Sequence, residues 1–151
     1  MGKKKVIEKN QEDIIKETEK VEATLKKDAK ASSKISRISE GRIYISSSYN
    51  NTIITLTDAR GQVLSSKSAG SVGFKGTKKA TSFASSRVAE AISSLCKKLA
   101  IEKIEVFIRG IGAGRESSVR TLVNQGLNVI SIKDVTPIPH NGCRPRKVRR
   151  V

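Results

Sequence analysis

"RIYISSSYNNTIITLTDARGQVLSSKS", Arg42–Ser68, decides the fold. In its first seven residues Ile43 and Ile45 alternate with polar neighbours, which puts both on one face of a strand. "TIITLTD" (Thr52–Asp58) is dense in β-branched residues, which suit a pleated surface. Asn50 and Asn51 lie between the two runs and tolerate positive φ, so the spacing predicts a tight hairpin turn. "DARG" (Asp58–Gly61) predicts a second turn with Gly61 left-handed, and "QVLSSKS" (Gln62–Ser68) a third strand. The whole stretch reads as a three-stranded antiparallel meander.

Downstream the period changes. "SAGSVGFKGTKKA" (Ser68–Ala80) is a glycine-rich basic loop, punctuated by Gly70, Gly73 and Gly76 and charged by Lys75, Lys78 and Lys79. Ala80, Ala84, Val88, Ala91, Ile92, Leu95, Cys96 and Leu99 then make one apolar helical stripe. Cys96 sits inside that stripe and reads as a small core residue rather than a nucleophile. "KIEVFIRG" (Lys103–Gly110) is a buried-type strand. "GIGAGRESS" opens a second helix, carrying Val119, Leu122 and Val123 and stopped at Gly126; "LNVISIKDV" (Leu127–Val135) is the last strand. Strand, helix, strand, helix, strand after a hairpin pair requires parallel crossovers. The fold class is therefore α/β, a mixed sheet covered by helices.

Charge points to the partner. The chain has 151 residues and a formal net charge of +16. Residues 1–41 hold 11 basic and 8 acidic residues, while the other 110 hold 19 and 6, a net of +13. The body, not the leader, faces a polyanion, and nucleic acid is the first expectation. No apolar run approaches the roughly 18 residues a membrane span needs. The start "MGKKKVIEKN" lacks an apolar signal core, and Val6 breaks the myristoylation pattern. Two cysteines 47 positions apart suggest no disulfide framework, so the expected compartment is a reducing cytoplasm. Tyr44, Tyr49, Phe74, Phe83 and Phe107 are the only aromatics, few for a protein that reads single strands by stacking. Backbone and shape recognition of folded nucleic acid suits this composition better.

Three motifs could carry chemistry. In "RGIGAGRES" the glycine-rich turn lets backbone amides approach phosphate oxygens at a helix N-terminus, with Arg115 and Ser117 adding side-chain contacts. One reading is a nicotinamide-dinucleotide site, since Gly110, Gly112 and Gly114 follow a strand and Asp134 lies 20 residues beyond Gly114. The spacing, however, is G-x-G-x-G, and the body is short for a second mononucleotide half. The other reading is RNA backbone binding, which the charge favours; a plain tight turn accounts for some of the glycines in either case. "HNGC" offers His140 and Cys143 to a metal, where a structural zinc wants four ligands, and no G-x-S-x-G elbow appears. No cofactor, metal or small-molecule substrate is expected.

The third motif is the end, "PIPHNGCRPRKVRRV". Pro137, Pro139 and Pro145 keep the backbone out of helix and sheet, and Arg144, Arg146, Lys147, Arg149 and Arg150 present donors along it. Such an arm reaches between RNA helices. Asn141-Gly142 is prone to succinimide formation, because glycine does not hinder attack by its own amide nitrogen on the Asn141 side chain. Partial conversion of Asn141 to isoaspartate is expected, and peptide mapping that finds only asparagine there would overturn it.

"SYNNTIITLTD", "AGSVGFKGTKKATSFAS", "GAGRESSVRTL" and "DVTPIPHNGCRP", in that order, resemble the family of small-subunit ribosomal protein eleven, the universal platform protein. The match runs from Ser36 to Val151, and "HNGCRP" resembles the bacterial and organellar branch. The resemblance implies a ribonuclease-H-like three-layer αβα sandwich on a five-stranded mixed sheet, with no catalytic role. It implies binding to small-subunit ribosomal RNA in the platform, near the messenger RNA exit and beside ribosomal proteins seven and eighteen. On this chain the RNA contacts it implies are Asn50 and Asn51; Phe74, Lys75, Lys78 and Lys79; Arg109, Arg115, Glu116, Ser117 and Arg120; and His140, Asn141, Arg144, Arg146, Lys147, Arg149 and Arg150. Ile111 and Ala113 stand where the family has prolines, so the turn is expected to be less rigid.

Residues 1–35 lie outside the resemblance. Ile7, Ile14, Val21 and Leu25 fall at helical spacing there, too thin a stripe for a stable isolated helix, and the segment reads as a solvated extension. The expected organisation is this extension, a globular domain over 36–136, and the basic tail over 137–151. Two rivals to a ribosomal role follow from the motifs: a small nucleotide-binding enzyme, which would keep its cofactor at moderate salt, and a packaging protein, which would bind any duplex equally.

Overall fold

The computed structural model describes residues 39–144, 146 and 147. The leader, Pro145, Arg149 and Arg150 lie outside the described residues. The meander is present as β1 (Glu40–Ser47), β2 (Thr52–Asp58) and β3 (Val63–Ser68). Helix α1 (Ser82–Lys98), strand β4 (Lys103–Gly110), helix α2 (Gly114–Asn124) and strand β5 (Val129–Asp134) follow. A 3-10 turn at Gly76–Ala80, within the stretch expected to be loop, leads into α1. The five strands form one mixed sheet in the order β3-β2-β1-β4-β5. β1 is antiparallel to β2 and parallel to β4; β2 is antiparallel to β3, and β4 parallel to β5.

The turns hold for different reasons. Gly61 takes φ +90, as expected, and the Asp58 side chain accepts hydrogen bonds from the Arg60 and Gln62 amides at 2.9 and 2.8 Å. The β1–β2 turn departs from expectation. Neither Asn50 nor Asn51 is at positive φ; among the described residues the non-glycine residues so placed are Ala100 and Asn141. Ser48 closes the turn instead. Its amide donates to the Asn51 carbonyl at 2.9 Å, and its hydroxyl accepts from the Asn51 amide at 3.2 Å. A side-chain oxygen thus replaces the strained backbone of a primed turn.

Both crossovers, β3–α1–β4 and β4–α2–β5, step the same way along the sheet. Right-handed connections therefore put both helices on the same face. The core lies between them and the sheet. Ile43, Ile45, Ile54, Leu56, Ile104 and Val106 meet Ala84, Val88, Ala89, Ile92 and Cys96 of α1 and Leu122 of α2, all buried. Each large aliphatic side chain so removed from water stabilises the fold by about 1.5–3 kcal/mol. Burial pushes the Cys96 thiol up to about 12, so it stays protonated at neutral pH and belongs to the core, as its place in the stripe predicts.

The described residues thus form two layers, a mixed five-stranded sheet with both helices on one face. On the sheet's other face Tyr44 stacks on Phe107 with ring centroids 5.0 Å apart. Arg42 pairs with Glu105 at 3.1 Å beside them, and the Lys133 ammonium lies 5.5 Å from the Phe107 centroid.

Candidate nucleic-acid interface

Topology gathers the charged loops. β1, β3, β4 and β5 run the same way, so the segments that follow them all emerge at one end of the sheet. These are the Ser48–Asn51 turn, the glycine-rich loop after Ser68, the Ile111–Ala113 turn and the C-terminal arm after Asp134. In open α/β sheets this end, outside the carboxyl ends of the parallel strands, is where ligands bind. Both helices also begin there. Thr81 caps α1, accepting from the Ala84 amide at 3.2 Å, whereas Ala113 gives α2 no side-chain cap, and the Arg115 amide turns back to the Gly112 carbonyl at 3.4 Å. Glu40, Asp58 and Glu102 lie at the opposite end. Arg60, Lys97, Lys98 and Lys103 lie there too, so charge at that end nearly cancels and the surplus of cations is at the loop-bearing end.

The three glycines of "GIGAG" are explained by packing. A Cβ on Gly110, at φ +101, would lie 2.1 Å from the Ser47 carbonyl oxygen; one on Gly112 would lie 2.3 Å from that of Ser48. At Gly114 it would lie 2.4 Å from the Thr52 hydroxyl and 2.9 Å from the Ser85 Cβ. Each missing side chain is a place where the turn presses on β1, β2 or α1. The Gly112 amide then donates to the Ser47 carbonyl at 3.0 Å. The glycines face the chain itself, so they do not cradle a pyrophosphate.

Asp134 is likewise committed. It forms an ion pair with Arg115, which also donates to the Gly110 carbonyl. Thr136 donates to the same carboxylate from its amide at 2.9 Å and its hydroxyl at 2.6 Å, and the hydroxyl accepts from the Gly110 amide at 3.1 Å. The Thr136 hydrogen bonds, with Arg115 beside them, lower the Asp134 carboxyl to about 2. A carboxylate held this way is not presented to a ribose hydroxyl, and the dinucleotide reading loses its second element. The clamp has another effect: with Val135 donating to the Ile108 carbonyl at 2.8 Å, it ties the root of the arm to the glycine turn.

The expected contact residues divide accordingly. Asn50, Lys75, Lys78, Arg109, Glu116, Arg120, His140, Asn141, Arg144, Arg146 and Lys147 are exposed; Asn51, Lys79, Arg115 and Ser117 are partly so. The hairpin and the 3-10 turn share one groove, which brings Asn50 together with Lys79. Arg109 shares the uncovered sheet face with Phe107, at the loop-bearing end. Arg120 lies along α2, away from that end. Glu116, in the first turn of α2, answers the helix dipole and would repel phosphate, so its contacts are confined to hydroxyl or amino donors. Ser117 bonds to the Ser85 hydroxyl at 2.7 Å and joins the two helices. Phe74 packs against the core and meets Phe83 edge-on at 5.9 Å. Asn141 takes φ +53, a left-handed geometry that asparagine tolerates. His140 through Arg144 carry neither helix nor strand.

Sequence reasoning passed over Tyr49. It is 75% exposed at the tip of the hairpin, beside Asn50. The signal was an aromatic flanked by Ser46–Ser48 and Asn50-Asn51, where no apolar neighbour could help bury it.

The family model for ribosomal protein S11 matches residues 41–150. Among curated proteins, the small ribosomal subunit protein uS11 of Treponema pallidum (strain Nichols) is 53% identical over 112 residues, covering 74% of this chain and 89% of the relative. The small ribosomal subunit protein uS11c of Cyanidioschyzon merolae is 52% identical over 112 residues, covering 74% of this chain and 93% of the relative.

Proposed function

The chain belongs to the ribosomal protein S11 family, as a structural and non-enzymatic component of the small ribosomal subunit, and we propose that it grips folded ribosomal RNA with the loop-bearing end of its sheet and with its arm. The observation that carries this reading is the convergence of three loops, two helix starts and the basic arm at one end, where cations outnumber acids. Phosphates are met by Lys75, Lys78, Lys79, Arg109 and the arm; Asn50 and Asn51 meet sugar or base edges. Arg115 acts mainly through the clamp, by setting the direction in which the arm leaves. The resemblance to the platform protein extends the reading: the chain bridges ribosomal RNA helices in the platform, near the messenger RNA exit, with ribosomal proteins seven and eighteen as neighbours.

The glycine-rich loop gives the direct test. Each phosphate contact contributes about 0.7–0.9 to the slope of log K against log salt. Neutralising Lys78 and Lys79 with glutamine is expected to flatten that slope by about one to two units for a ribosomal RNA transcript. An unchanged slope would remove this loop from the interface.

A further inference from the structure

A groove of about 450 Å³ separates the hairpin tip from the 3-10 turn and is lined by Tyr49, Asn50, Gly76, Thr77, Lys79 and Ala80. We propose that this groove receives a single unstacked nucleobase of the bound RNA, with Tyr49 as its stacking platform. The inference rests on the RNA-binding reading above and assigns one site within it.

The aromatic inventory sets Tyr49 apart. Tyr44 and Phe107 stack on each other, and Phe74 and Phe83 meet edge to face. Phe83 is also exposed, but the Arg87 guanidinium lies 5.3 Å from its ring centroid and occupies that face. Among the described residues Tyr49 has no ring partner, and it is 75% exposed. Its backbone is nonetheless pinned. The Ser48 hydroxyl accepts from the Asn50 and Asn51 amides at 3.4 and 3.2 Å and donates to the Asn51 carbonyl at 3.1 Å. A large apolar ring held out in water on a fixed turn is preorganised for a flat partner.

The rest of the lining matches a nucleotide. The Asn50 amide and the Thr77 hydroxyl supply donors and acceptors for a base edge. Lys79 supplies a cation for the attached phosphate. Gly76 takes φ +57 with nothing within 4 Å of a Cβ, so this side of the groove is open backbone. One ring makes one stacking position, not a track for a single strand. The occupant is therefore a base flipped from an otherwise folded RNA, such as a bulge or loop nucleotide.

The test compares Tyr49→Ala, Tyr49→Phe and the Lys78/Lys79 double glutamine variant, each in the full chain, binding a small-subunit ribosomal RNA transcript across a salt series. Stacking on one base changes affinity by roughly 5- to 100-fold. Tyr49→Ala is expected to weaken binding within that range with the salt slope unchanged, and Tyr49→Phe to restore it. Wild-type affinity for Tyr49→Ala, alongside a flattened slope for the lysine variant, would overturn the groove while leaving the interface standing. Equal loss in Tyr49→Ala and Tyr49→Phe would assign the effect to the hydroxyl and overturn stacking. No effect of either the Tyr49→Ala or the lysine variant would place the failure in the RNA-binding interface itself.

Discussion

A Gly110→Ala chain is expected to melt about 20 °C below the wild type. Two penalties act at the same atom. The residue sits at φ +101, where an L side chain is strained by about 1–3 kcal/mol, and its new Cβ would lie 2.1 Å from the Ser47 carbonyl oxygen. Overpacking of that kind costs about 1–3 kcal/mol more, because a backbone carbonyl inside a sheet ladder cannot swing aside. The sum, about 4 kcal/mol, is a large share of the 5–15 kcal/mol typical of a domain, and each kcal/mol moves Tm by roughly 4–8 °C at this size. Relief by moving Gly110 would break its amide's hydrogen bond to Thr136 and the Arg115 bond to its carbonyl, so the arm's root would loosen as well. Gly61→Ala is the control. It shares the left-handed backbone, at φ +90, but its Cβ would meet nothing within 4 Å, so its cost is confined to the backbone strain of about 1–3 kcal/mol. Thermal melts followed by circular dichroism check both. Equal melting temperatures for the two variants would show that contact with Ser47 contributes nothing.

That contrast also explains what the sequence could convey. The meander and both helices were legible because periodicity encodes them directly: Ile43, Ile45 and Ile54 face the core from strands, and Val88, Ile92 and Cys96 from a helix. "GIGAG" was ambiguous because glycine records only that a side chain is excluded, not what excludes it. Phosphate, cofactor and the chain's own β1 leave the same trace, and only the distances to Ser47, Ser48 and Thr52 identify β1 and β2 as the cause. Asp134 was ambiguous for a related reason. Its spacing suited a ribose contact, but Arg115 and Thr136, neighbours only through the fold, had already engaged it. The hairpin turn was read from Asn50-Asn51, whereas Ser48, one residue among three consecutive serines, closes it. Tyr49 was discounted with the other aromatics because a count of rings cannot separate those paired in the fold from one left in water.

The largest functional effect is expected from the arm. Replacing Arg144, Arg146, Lys147, Arg149 and Arg150 with glutamine removes five cations, at about 0.7–0.9 of salt slope each, so the slope should flatten by about 3.5–4.5 units. At around 0.1 M salt a contact of that slope is worth roughly sixfold, and five together on the order of 10³ to 10⁴ in affinity. Stability should not follow. The arm joins the domain through Val135 and Thr136, upstream of every substituted residue, and His140 through Arg144 are exposed. A variant that melts as the wild type does but no longer cosediments with the small subunit in a sucrose gradient is the expected result. A slope change of less than about one unit would mean that the arm's cations stay in solvent and that the loop-bearing end carries the binding alone. On the proposed reading, the domain and the arm divide the work. A folded sheet can place a few cations accurately, at Lys79 and Arg109, but each is fixed to the domain's own surface. Only an arm leaving that surface can follow phosphates inward, and the Arg115–Asp134–Thr136 clamp gives it a fixed point of departure.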